Sequence, residues 1–235
     1  MLPLKDDVPA RAVPAVTVAL IVLNGLVFLY ELFLHGGGSG ASAARAFVEE
    51  FGLIPCRLAG VCPAEPEAPS ALLTVFTATF LHGALFHVLG NMLYLWIFGR
   101  SVEGALGHGR FAAVYFACGA AAACAQTMAG PASDIPVIGA SGAVSGVLGA
   151  YLVLFPHARV LTLVVLGFFV RLIYVPALAV LGFWVVVQLV GAYVGHVMGA
   201  GQEPEASVGW FAHTGGLLAG VALLLALRPR RAVRL

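Results

Sequence analysis

The sequence reads as an all-α polytopic membrane protein, a bundle of six transmembrane helices whose short fourth helix starts at mid-membrane depth. Three observations carry this expectation. Of the 235 residues, 61% are hydrophobic and 10% charged, against about 25% charged in a soluble domain, so lipid must be the solvent for most of the surface. Apolar runs long enough to cross about 30 Å of hydrocarbon recur six times. The fourth run, residues 141–156, is short and follows directly on a Gly- and Pro-containing stretch at 130–139. Unpaired backbone is too costly in hydrocarbon to face lipid, so such a helix start must be covered by protein or line a wet cavity.

Taken in order, residues 1–13 form a charged N-terminal segment. The first apolar run, 14–34, spans about 20 residues, beyond the roughly 7–15 of a signal-peptide core. It is expected to remain a membrane helix rather than to be cleaved at Ala41-Ser42-Ala43. The loop at 35–81 opens on Gly36-Gly37-Gly38-Ser39-Gly40, a flexible composition, and turns amphipathic at 47–53, which suits a membrane surface. Further runs follow at 82–99, 109–128, 141–156, 173–195 and 209–227, and together residues 14–227 make the transmembrane domain. The apolar stretch 160–170 is too short to span and is bounded by Arg159 and Arg171, so it is expected at the interface or packed under the bundle. Residues 228–235 form a basic tail.

Six spans put Arg45 and Arg57 on one side and the other ten of the twelve Lys and Arg residues on the side of both termini. The positive-inside rule then makes the termini cytoplasmic. The 35–81 loop faces outward, where Cys56 and Cys62 would form a disulfide in an oxidising compartment. Spacing alone leaves bridge and free thiols both open. Cys118 and Cys124 lie within an apolar run and read as small packing residues. No Lys/Arg cluster with interleaved aromatics occurs outside the tail, which sets nucleic acid aside.

Ser141 opens the fourth helix in Gly139-Ala140-Ser141-Gly142. There, free backbone N–H groups and the positive end of the helix dipole would stabilise a developing oxyanion. Taken alone, the motif is better described as an N-capping serine. His213 lies in the sixth run, and an ionisable residue inside a span is a functional candidate unless packing has simply absorbed it. Gly216 and Gly220 give the His213 helix a small-residue face, and Gly142, Gly146 and Ala150 give one to the Ser141 helix. Two such faces let backbones approach, which would bring imidazole within reach of hydroxyl. In the second run a four-residue step stacks His87 and Asn91 on one face, with His82 turned away from it. Side chains of this kind complement backbone N–H groups in an oxyanion hole, and the alternative is hydrogen bonding to neighbouring helices. Glu31 and Glu103 fall near helix ends and the aspartates are Asp6, Asp7 and Asp134. No carboxylate is therefore placed to orient His213, and the unit is a Ser–His dyad. His196 is a competing base near an outer loop.

These stretches together resemble the rhomboid family of intramembrane serine proteases, bacterial type, over nearly the whole chain. The resemblance rests on Phe80-Leu81-His82-Gly83 with His87 and Asn91, on Gly139-Ala140-Ser141-Gly142, and on Ala212-His213 with Gly216 and Gly220. It implies a six-helix core in a bacterial inner membrane and a serine endopeptidase that cuts transmembrane protein substrates. Ser141 would be nucleophile and His213 base, with His87, Asn91 and the Ser141 N–H around the oxyanion. The outer loops, including 196–208 with the fifth helix, would act as a gate. Some members carry a tyrosine one turn after the nucleophile, packed on the histidine. Here that position is Ser145, so Trp210 or Phe211 is expected to hold His213. The Trp-Arg pair that some bacterial members carry in the first outer loop is not evident. A zinc protease would need H-E-x-x-H and an aspartyl protease two embedded aspartates. Neither occurs, so no metal and no cofactor is expected. Two other readings are a catalytically silent rhomboid-like chaperone or trafficking factor, which would have lost Ser141 or His213, and a small transporter, which would place a carboxylate at mid-depth.

Overall fold

The computed structural model describes residues 2–9, 12–37, 40–63, 68–166, 169–198 and 209–227. It is mostly helical, and its first long helix, α1 (Ala15–Gly36), shows how the sequence divides its surfaces. Thr17, Leu20, Asn24, Phe28 and Glu31 are buried at steps of three and four, the spacing of one helical face. Val22, Leu26, Leu29 and Phe33 stand exposed on the other side, an arrangement that lipid satisfies and water does not.

Three short helices follow: α2 (Gly40–Phe51), α3 (Pro55–Leu58) and α4 (Ala71–Thr77). The amphipathic segment of α2 packs on α1 through Tyr30 and Phe47, whose rings meet edge-on at 5.3 Å. Next come α5 (Leu85–Tyr94), a π-helical turn at Leu95–Gly99, and α6 (Arg100–Leu106). The remaining helices are α7 (His108–Ala129), α8 (Ser141–Leu154), α9 (Ala177–Met198) and α10 (Trp210–Leu227). Among the described residues α1, α7 and α10 are long and apolar enough to cross a membrane. A fourth crossing results if Ala71–Phe80 and Leu85–Leu106, bent by 87°, count as one span, and Ser141–Leu154 and Ala177–Val190 are shorter apolar helices. The chain is an integral membrane protein on this surface chemistry.

One part of the expectation fails, because the fold is not all helix. Strands β1 (Leu2–Asp6), β2 (Arg159–Leu166) and β3 (Phe169–Pro176) form an antiparallel sheet in the order β1-β2-β3. The sheet takes up the stretch expected at the interface, part of residues 1–13, and the first residues of the expected fifth span, whose helix begins at Ala177. Val160, Thr162, Val164 and Val165 in β2, with Val170, Ile173 and Val175 in β3, are β-branched and favour strands. Pairing Arg159 with Pro176 through Leu166 with Phe169 gives a non-spanning apolar segment its backbone partners. Residues 199–208 of the gate expected at 196–208 and the basic tail at 228–235 lie outside the described residues, as does the His196 side chain.

Buried carboxylates tie these parts together. Asp6, 1% exposed, accepts from Arg100 Nη2 at 2.7 Å, Ser101 Oγ at 2.5 Å and Tyr151 OH at 3.2 Å, joining β1 to α6 and α8. Glu103 accepts from the N–H groups of Val16 and Thr17 at 2.8 Å each, from Thr17 Oγ1 at 2.6 Å, and meets His108 Nδ1 at 2.5 Å. The first N–H groups of a helix lack internal acceptors, and Pro14 offers no side-chain cap. Glu103 therefore terminates α1 from across the bundle. Glu103→Ala is expected to leave those donors unpaired and to cost about 2 kcal/mol or more. The test is the thermal unfolding midpoint in detergent, with faster exchange at the Val16 and Thr17 amides.

Candidate active site

The site is framed by helices α8 and α10, which touch backbone to backbone. A Cβ built on Gly216 would collide with the carbonyl oxygen of Gly142, and one on Gly220 with that of Gly146. The small-residue faces expected from the sequence thus meet each other, and two further glycines join them. Gly149 abuts the Leu217 carbonyl, while Gly215 faces Ala125 on α7. Cys118 of α7 fills the space beside Gly146, so small α7 side chains pack directly against the glycines of α8 and α10. The α10 start is held by Gln126 of α7, whose Oε1 accepts the Ala212 N–H at 3.2 Å.

This crossing brings Ser141 and His213 together: His213 Nε2 lies 2.7 Å from Ser141 Oγ. Ser141 is not the helix cap, since that position is taken by Ala140, without a side-chain cap bond. Its hydroxyl is turned to the imidazole instead. His213 is buried, at 7% exposure, and its other nitrogen, Nδ1, lies 2.7 Å from Oε1 of Gln188 on α9. Trp184 and Trp210 flank the ring at 5.8 and 6.2 Å between centroids. Trp210 thus touches His213 as expected, whereas Gln188 and Trp184 were not foreseen. Ser145 takes no part, because its Oγ bonds back to the Ser141 carbonyl at 2.6 Å.

The segment before Ser141 is fixed by long-range backbone bonds. Leu53 and Val137 exchange N–H···O bonds of 3.1 and 2.8 Å, Cys56 N–H donates to Ser133 O at 2.9 Å, and Gly139 N–H donates to Ala78 O at 2.9 Å. Cys56 is joined to Cys62 by a disulfide, with Cα atoms 5.2 Å apart. Gly139 has φ +117°, a conformation costly for any other residue. A Cβ on it would sit 2.6 Å from His87 Cε1 and 3.7 Å from Asn91 Nδ2, so both side chains pack on the loop two residues before Ser141.

His82 departs from the expectation that it faces away. Its carbonyl accepts from His87 Nδ1 at 3.0 Å, its Nε2 accepts the Ala140 N–H at 3.4 Å, and the two imidazoles stand 5.1 Å apart. Its own N–H is held by both carboxylate oxygens of Glu31, at 3.1 and 3.2 Å, at the bend before α5. Because His87 Nδ1 donates to a carbonyl, its Nε2 carries a proton only in the imidazolium form. Asn91 Nδ2 is buried with no hydrogen-bond partner among the described residues, a donor free for an incoming acceptor. A cavity of about 1410 Å³ is lined by Ser141, His213, His87 and Asn91 together, and by Glu49 of α2 and Asp134 of the loop before α8. Among the described residues no cluster of His, Cys, Asp or Glu could hold a metal ion.

Comparison with known proteins finds the Rhomboid domain over residues 69–230. Rhomboid protein 1, mitochondrial, of Saccharomyces cerevisiae is 36% identical over 96 residues, 39% of this chain and 28% of that protein. Rhomboid protease GluP of Bacillus subtilis is 33% identical over 140 residues, 59% of this chain and 24% of that protein. The presenilin-associated rhomboid-like protein, mitochondrial, of Homo sapiens is 37% identical over 84 residues, 35% and 22% of the two chains. The chain spans about a quarter of the length of the curated relatives it matches.

Gly220→Val is expected to force α8 and α10 apart and to destabilise the fold by about 3 kcal/mol or more. Gly109→Ala, where an added Cβ meets nothing within 4 Å, should leave the unfolding midpoint unchanged. Equal midpoints for the two variants in detergent would contradict a contact that depends on the missing Cβ.

Proposed function

The chain belongs to the rhomboid family, and from that premise we propose that it is an intramembrane serine endopeptidase working by a Ser141–His213 dyad. The observation that carries this reading is the 2.7 Å contact between His213 Nε2 and Ser141 Oγ at the wall of a large cavity. Nε2 removes the hydroxyl proton as Oγ attacks the scissile carbonyl carbon, and an acyl-enzyme forms as the C–N bond breaks. The same nitrogen returns the proton to the leaving amine. Water, activated by His213, then hydrolyses the ester and frees Ser141.

The tetrahedral oxyanion is met by Asn91 Nδ2 and the Ser141 N–H at the start of α8, with His87 contributing through Nε2 when it is the imidazolium. The buried Asn91 Nδ2, without a partner among the described residues, supports this role, since a donor left waiting in the free enzyme needs no rearrangement to bind an anion. Charged residues on the cavity wall, Glu49 of α2 and Asp134 of the loop before α8, support water access from that side.

In this reading each of the six apolar segments supplies a membrane helix, the fifth from Ala177 onward, with α4 and α5 marking a bend and α8 starting at mid-depth. Residues 1–13 and 228–235 are cytoplasmic, residues 14–227 form the protease domain in a bacterial inner membrane, and the disulfide faces outward. Substrates are membrane proteins whose helix unwinds readily at Gly, Ala or Pro, because a peptide bond inside a stable helix has its carbonyl shielded.

A serine-directed fluorophosphonate should label the wild type, and neither Ser141→Ala nor His213→Ala. Labelling that persists without Ser141 removes the nucleophile. Gly139→Ala should push the His87 ring aside and strain the loop, lowering turnover of a transmembrane substrate by about 10²-fold. Unchanged turnover in that variant would separate His87 from the reaction.

A further inference from the structure

We propose that Gln188 is the positioning residue of this site: its side-chain carbonyl holds His213 in the one tautomer that can act as a base toward Ser141. The inference rests on the dyad reading above and adds a third member to it.

An imidazole that accepts the Ser141 proton must present a bare Nε2, so its proton sits on Nδ1. That N–H is buried with the rest of the ring, and a buried donor without an acceptor costs about 1–3 kcal/mol. Gln188 Oε1, 2.7 Å from Nδ1, supplies the acceptor. The buried carboxylates are committed elsewhere: Glu31 to the His82 N–H, Glu103 to the α1 start, and Asp6 to Arg100, Ser101 and Tyr151. A neutral amide orients the ring without placing a second charge in an apolar bundle, where an unpaired carboxylate is expensive.

The helix that carries Gln188 is built for this contact. Leu181, Trp184, Val185 and Gln188 follow each other at helical spacing and are buried or half-buried, while Phe183, Val186, Val187, Leu189 and Val190 are exposed. Trp184, one turn before Gln188, lies against the same imidazole. Both partners of the ring on α9 therefore come from a single face, and the tautomer of the base depends on where α9 sits.

The test uses the full chain in detergent, with Gln188→Leu, which keeps the bulk and removes the acceptor, and Gln188→Glu, which keeps the acceptor. Gln188→Leu should lower kcat on a transmembrane substrate about tenfold to a hundredfold, with KM within about twofold. The loss should be smaller than the roughly 10⁴-fold seen when a triad carboxylate is replaced, because an amide does not stabilise the imidazolium. Gln188→Glu should restore kcat to within a few-fold of wild type. In ¹⁵N-histidine spectra the resonances lost in His213→Ala should report an Nδ1-protonated ring in wild type and a tautomer mixture in Gln188→Leu.

A kcat unchanged in Gln188→Leu, an equal loss in both variants at equal unfolding midpoints, or an Nε2-protonated ring in wild type would overturn the proposal. Should Gln188→Leu fail to fold, the wild-type spectrum and Gln188→Glu still decide it. A wild type that neither cleaves nor labels removes the protease reading instead, while the spectrum still reports whether Gln188 holds the ring.

Discussion

Every feature of the site depends on α8 and α10 meeting without side chains between them. Gly142, Gly146 and Gly149 on one helix, and Gly216 and Gly220 on the other, leave their carbonyls and Cα atoms as the contact surface. In lipid the hydrophobic effect gives helices no reason to associate, so close van der Waals packing and inter-helix polar contacts must hold them. The same closeness sets the reach of the chemistry. Ser141 is one residue before Gly142 and His213 three before Gly216, so the packing seam ends where the 2.7 Å hydrogen bond begins.

The second constraint is that helix ends and bends within the bundle need acceptors that water does not supply. The chain meets it with groups distant in sequence: Glu103 for α1, Glu31 for the bend at His82, and Gln126 for α10. The Leu53 and Ala78 carbonyls do the same for the loop before Ser141, and the loop's own Ser133 carbonyl accepts the Cys56 N–H. Each bond joins two elements that packing alone would leave free to slide, which matters because an imidazole displaced by an ångström no longer hydrogen-bonds the serine hydroxyl. Among the described residues Asn91 Nδ2 has no such partner, and it is the donor turned toward the serine loop.

Much of this was legible along the chain. The apolar runs, the glycine spacings, Ser141, His213, and the pairing of His87 with Asn91 are local patterns, each readable from a few neighbouring residues and the period of a helix. The sheet was missed because its apolar, β-branched residues were weighed by length against a membrane span, and a strand pairing between residues 2–6 and 159–166 leaves no local trace. His82 was misjudged because helical spacing was applied to a residue that precedes α5 and lies outside its register.

Composition and periodicity by themselves determined the solvent, most of the helices and the residue types at the candidate site, since hydrophobicity and helical period act on residues close in sequence. Tertiary structure alone decided what holds those residues. Gln188 stands 25 positions before His213, and a lone amide in an apolar helix carries no sign of which imidazole it will meet. A hydrogen bond is a matter of a few tenths of an ångström and one direction, and both are set only when separate helices have packed.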